Sequence, residues 1–106
     1  SDLTFGYPPF IDLLLFEISG TNLQDVKKDA EKLYNILNYN NRNEYRVFSP
    51  KSPYIQKLNS RFRVNVLLKA RLNTQIYSDV YGKIKLFNTK KFKTTSMSVT
   101  RNPIFI

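Results

Sequence analysis

Arg61, Arg63 and Lys69 sit on alternate positions of the run from Arg61 to Ala70, while Phe62, Val64, Val66, Leu68 and Ala70 fill the positions between them. In an extended chain alternation sends the two sets to opposite faces, so this segment has a cationic face and an apolar face, with Leu67 as the exception. Basic side chains on an open strand face, with rings from neighbouring strands beside them, suit single-stranded nucleic acid: the cations neutralise phosphates and the rings stack on bases. Lys83, Lys85, Lys90, Lys91 and Lys93 form a second basic set, either a phosphate-contact surface or a solvated helix face. A third feature is the segment from Ser49 to Ser60, whose Tyr54, Ile55 and Leu58 are apolar in a polar stretch. These three, with Ile104 and Phe105 of the tail, either fold back on the core or form a docking patch for another domain.

Catalysis has little to draw on. The chain has no Cys and no His, which removes Cys nucleophiles, Ser-His-Asp arrangements, zinc fingers and disulfides together. The carboxylates Asp12, Asp25, Asp29, Glu31 and Glu44 are scattered, and Asp12 and Glu17 have opposite parity on one strand, so they cannot act as a pair. Three glycines, none preceding a Lys-Ser/Thr, make no phosphate-binding loop. Taken alone the chain reads as a non-enzyme, with no catalytic residue, no metal ligand and no cofactor of its own.

The charge has a polarity along the sequence. The chain has 106 residues, with 17 Lys+Arg against 8 Asp+Glu and a formal charge of +9. Residues 1–50 carry 5 basic and 7 acidic side chains, or −2, whereas residues 51–106 carry 12 basic side chains and the single acid Asp79, or +11. Such asymmetry favours a polyanionic partner: nucleic acid first, an acidic peptide second, an anionic membrane surface third. At 14% aromatic and 42% hydrophobic the chain has the material for one packed core, so residues 1–106 read as one domain. Phe10 to Ile18 is too short for a membrane span and contains Asp12 and Glu17. The opening Ser-Asp-Leu-Thr has no initiator Met and no signal pattern, and the chain is expected to be a fragment of a longer protein.

These residues need elements to hold them. After a rigid Gly6-Tyr-Pro-Pro9 lead-in, Phe10 to Ile18 reads as an interior strand covered on much of both faces, broken by Ser19-Gly20. Thr21 and Gln24 offer a capping box for a helix with the stripe Leu23, Val26, Ala30, Leu33 and Leu37; Lys27, Lys28, Asp29, Glu31 and Lys32 fall opposite. A connection over 38–43 leads to a short strand over Tyr45 to Phe48, and Pro50 and Pro53 keep the chain irregular or extended up to Ser60. The strand Arg61 to Ala70 follows. Asn73 or Thr74 caps a second helix to about Phe87, with the stripe Ile76, Val80, Ile84 and Phe87 and a weakening Gly82. The basic connection Lys90 to Lys93 leads to a last strand, Ser96 to Thr100, with Met97 and Val99 inward. The order β-α-β-β-α-β predicts an α+β, ferredoxin-like fold: a four-stranded sheet, two helices on one face, and the first and third strands side by side in the centre.

Three segments carry a resemblance. Tyr7-Pro-Pro-Phe10, then Val47-Phe-Ser-Pro50 with Ser52-Pro-Tyr-Ile55, Lys57-Leu58, Arg61-Phe-Arg63 and Leu67-Leu-Lys69, then Ser98-Val99 with Asn102-Pro103, are similar in order and spacing to the C-terminal domain of the primosomal protein N′ family, the replication-restart DNA helicase PriA. Ser49 stands where that family usually has Gly, and Thr100 where it has an acid. The resemblance implies a bacterial, cytoplasmic, nucleoid-associated parent: an ATP-dependent 3′–5′ helicase whose ATP, Mg and Zn belong to parts outside this chain. It implies a ferredoxin-like domain similar to a small-subunit ribosomal protein that doubles as an antitermination factor. It further implies that such a domain helps bind single-stranded and forked DNA at stalled replication forks. It also implies packing on the helicase core, near the docking site for the acidic tail of the single-stranded-DNA-binding protein. Two other readings stay open: a protein-interaction module that docks on the helicase core and on that acidic tail, and a ribosomal-type RNA-binding protein.

Overall fold

The computed structural model describes residues 11–50, 56–71 and 73–102. The apolar run near the start becomes strand β1 (Ile11–Gly20), whose even-numbered Leu14, Phe16 and Ile18 are buried to 6% exposure or less. The strand continues through Ser19 and Gly20, which pair with Arg63 and Phe62, rather than breaking there. Gly20 sits at a close approach: a Cβ there would lie 3.1 Å from the Thr94 carbonyl oxygen and 3.0 Å from Val26. Helix α1 (Leu23–Asn38) follows, capped by Asn22 rather than by Thr21, the Asn22 side chain accepting from the Asp25 N–H at 3.2 Å. Its stripe Val26, Ala30, Leu33 and Leu37 is buried, as the spacing required.

Strand β2 (Tyr45–Phe48) is followed by a short strand not singled out from the sequence, β3 (Gln56–Leu58), in the stretch expected to be irregular or extended up to Ser60. It forms a hairpin with β4 (Arg61–Arg71) through Asn59 and Ser60, whose φ angles of 54° and 63° make the primed two-residue turn that matches strand twist. Helix α2 (Thr74–Lys90) is capped by Asn73 and runs one turn beyond Phe87, and β5 (Thr95–Arg101) closes the fold.

The sheet order is β2-β4-β1-β5, all antiparallel, with β3 on the same edge of β4 as β2. The first and third long strands therefore lie side by side in the centre, and the arrangement is the α+β, ferredoxin-like β-α-β-β-α-β order with one added short strand. Even positions of β1 and β4 pair with one another and face the helices, where Val64, Val66, Leu68, Val80 and Phe87 complete the core. Burying each large apolar side chain of this kind contributes about 1.5–3 kcal/mol relative to leaving it in water. No helix among the described residues is long and apolar enough to cross a membrane.

Two further expectations change. Asp29, expected on the solvated side of α1, is fully buried. Its Oδ2 accepts from the Phe92 N–H at 3.0 Å and the Thr95 hydroxyl at 2.5 Å, and its Oδ1 sits 3.3 Å from the Lys32 ammonium. It ties the turn between α2 and β5 to α1. The second is the cover on β1: its odd positions Leu13, Leu15, Glu17 and Ser19 are only half-buried, on the side away from the helices. Among the described residues no element lies over that side.

Candidate nucleic-acid interface

The uncovered sheet face collects the odd positions of β4. Arg61 and Arg63 are half-buried, while Asn65, Lys69 and Arg71 are exposed. Arg61 donates to the Ser19 hydroxyl at 3.4 Å, and Arg63 lies 3.7 Å from the Glu17 carboxylate. Lys69 and Arg71 form no ion pair among the described residues. Glu17 is the single acid on this face of β1, and Asp12 lies on the opposite parity, bridged to Arg101 at 3.0 Å. Asn102 and Arg101 donate hydrogen bonds to Asp12 and hold its carboxyl below the usual carboxylate range.

Strand β2 adds two residues that the sequence reading left out. Its alternation buries Tyr45 and Val47 and puts Arg46 and Phe48 on the uncovered side, opposite Lys69 and Leu67. The Arg46 guanidinium lies over the Phe48 ring, 4.7 Å from its centroid. Arg71, one step beyond Lys69 in the same alternation, is the third addition; the period-two pattern of 45–48 and 61–71 carried the signal for all three. The face is thus apolar in the middle (Leu13, Leu15, Leu67 and Phe48), cationic along β4 and β2, and hydroxyl-lined along β5 at Ser96, Ser98 and Thr100. Phe16 is fully buried and Phe62 packs against the core, while Phe10 lies outside the described residues.

The second basic set does not form one surface. Lys83 is buried at 9% exposure, and its ammonium donates to the carbonyls of Leu37 (3.1 Å) and Tyr39 (2.5 Å) and to the Tyr45 hydroxyl (2.5 Å), 3.1 Å from Asp79. It satisfies carbonyls at the end of α1 and is not part of a solvent-facing set. Burial, and then Asp79, push the Tyr45 hydroxyl far above the ordinary tyrosine range. Lys91 is half-buried and donates to the Thr95 carbonyl at 2.6 Å. Lys85, Lys90 and Lys93 are exposed, Lys85 lying over the Tyr81 ring at 5.4 Å. Lys85 and Lys90 belong to the helix layer, on the other side of the sheet from Arg61, Arg63 and Lys69.

Of the residues read as a docking patch, Tyr54, Ile55, Ile104 and Phe105 lie outside the described residues; Leu58 is placed by its backbone alone, as the register partner of Arg61. A separate apolar groove of about 310 Å³ runs between α2 and β5, lined by Tyr77, Val80, Tyr81, Ile84, Leu14, Val99 and Arg101. Tyr77, Tyr81 and Val99 are exposed at 52%, 55% and 40%. Among the described residues no group of His, Cys, Asp or Glu is arranged to hold a metal ion.

No protein-family model matches the chain, and no curated protein matches it. Among solved structures it is similar to the de novo designed protein Foldit4, with a TM-score of 0.64 and 13% identity over 90% of this chain and 99% of that one. The de novo designed protein Ferredog-Diesel gives a TM-score of 0.42 and 19% identity over 83% of each chain. The first likeness is one of fold.

Proposed function

We propose that the domain binds single-stranded and forked DNA through its uncovered sheet face, as the accessory domain of a bacterial replication-restart, ATP-dependent 3′–5′ helicase acting at the nucleoid. One observation carries the binding half of this reading. Arg46, Arg61, Arg63, Lys69 and Arg71 share one face of the sheet, and among the described residues the acids beside them are Glu17 and Glu44. Cations in such excess, around half-buried apolar side chains and a ring, suit a flexible phosphate chain whose bases are free to stack. The helicase context rests on the resemblance of the Tyr-Pro-Pro-Phe, Arg-Phe-Arg and Asn-Pro segments.

Titration of fluorescent single-stranded and forked DNA at rising salt tests it. Affinity is expected to fall steeply with salt, and Arg61→Gln with Lys69→Gln to weaken binding regardless of sequence. Absence of binding at ~50 mM salt, or salt-independent binding, rejects the reading. Tighter binding of structured RNA than of any DNA would move it to the ribosomal-type alternative.

The groove between α2 and β5 favours a second reading, a module that docks on the helicase core and on the acidic tail of the single-stranded-DNA-binding protein. A tail peptide should then shift the amide signals of Tyr77, Tyr81 and Val99. No shift at those residues removes this reading.

A further inference from the structure

At the β2 edge of the uncovered face is a concave basin of about 350 Å³, lined by Ile11, Glu44, Arg46, Phe48, Lys69 and Arg71 among others. Arg46 and Lys69 are direct cross-strand partners, an arrangement in which like charges destabilise a sheet. Arg71 lies two positions beyond Lys69, and none of the three has an ion pair among the described residues. Glu44 leaves the basin with a net charge of +2. Three cations converging on one concavity, held against their mutual repulsion, fit an anion better than water. The remainder of the lining is not suited to an anion alone: Phe48 is half-buried under the Arg46 guanidinium, and Ile11 is exposed at 39%. A ring stacked with a guanidinium plane is a surface on which a nucleobase stacks.

We propose that this basin is a nucleotide subsite, taking one unpaired base of a single strand on the Arg46–Phe48 stack while the adjoining phosphates meet Lys69 and Arg71. The proposal rests on the nucleic-acid reading of the sheet face and goes beyond it by fixing which residues meet a base. A paired base cannot reach the ring without leaving its stack, so the subsite selects single strands over duplex.

The test uses the full chain and a short fluorescent single-stranded oligonucleotide, intact or with abasic positions, titrated against wild type, Phe48→Leu and Arg46→Gln. Phe48→Leu is expected to weaken binding of the intact strand about 5–100-fold with the salt dependence unchanged. Abasic positions should weaken wild type by a similar factor and leave Phe48→Leu nearly unaffected, because both changes remove the same stack. Arg46→Gln, an exposed substitution that leaves Phe48 in place, should give a smaller loss accompanied by a shallower salt slope. If Phe48→Leu and Arg46→Gln bind as tightly as wild type, or if Phe48→Leu keeps full sensitivity to abasic positions, the subsite is wrong. Should that happen while Arg61→Gln with Lys69→Gln still weakens binding, the sheet-face reading survives without it. If wild type does not bind the strand, both fall.

Discussion

Lys83 stands one helical turn from Asp79, and its charge is used inside the fold: two carbonyls near the end of α1 and the Tyr45 hydroxyl accept from it. Lys83→Met would remove the ammonium from the Tyr39 carbonyl and from Asp79, while the Leu37 carbonyl keeps the Tyr45 hydroxyl as donor, and is expected to cost about 1–3 kcal/mol in urea unfolding. Per folded molecule it should leave nucleic-acid affinity unchanged, which separates it from Lys69→Gln. Asp12 supplies a pH signature. Its folded carboxyl titrates below the ordinary 3.8, chiefly because Asn102 donates to it at 2.6 Å and then Arg101 at 3.0 Å. A depressed carboxyl stabilises the fold above its unfolded value, and that contribution is lost as pH falls through the folded one. The stability gap between wild type and Asp12→Asn should therefore be constant near neutral pH and close in acid below 3.8. A gap independent of pH down to about 2 would contradict this account.

The elements carry their own tests. Ser60 holds a left-handed φ of 63° in the turn between β3 and β4, a conformation that costs a residue with a Cβ. Ser60→Gly creates the Asn-Gly pair favoured in this turn and should stabilise by about 0.5–1 kcal/mol. The two described glycines should respond in opposite directions. At Gly82, exposed on α2 with nothing within 4 Å of an added Cβ, alanine should stabilise by about 0.5–1 kcal/mol through helix propensity. At Gly20 the added Cβ meets the Thr94 carbonyl oxygen, and alanine should lower the thermal midpoint. Most element positions were legible because each rests on local periodicity: the 3.6-residue stripe of α1 and the two-residue alternation of β4. Strand β3 was not, because three residues between two prolines and a turn carry no period of their own; pairing with β4 makes them a strand. Asn22 replaced Thr21 as the cap of α1 by a shift of one residue, since both side chains can accept from a free amide.

Across the whole molecule the charge split into −2 and +11 halves predicts salt-dependent association more than affinity. If Lys69 and Arg71 each neutralise one phosphate of a single strand, changing both to Gln should reduce the slope of log K against log salt by about 1.4. An unchanged slope would place the phosphates elsewhere, with the exposed Lys85, Lys90 and Lys93 the next set to neutralise. The sequence by itself determined the α+β order, the buried stripe of α1, the two-faced character of β4 and the lack of Cys and His chemistry, because each is a matter of composition or of spacing within one element. Tertiary structure alone decided that Asp29 and Lys83 are interior ties rather than surface charges, since their partners lie 63 and 46 residues away in the chain. It also decided that Arg46 and Phe48 join Lys69 and Arg71 around one basin, because cross-strand register, not spacing along the chain, sets which side chains meet.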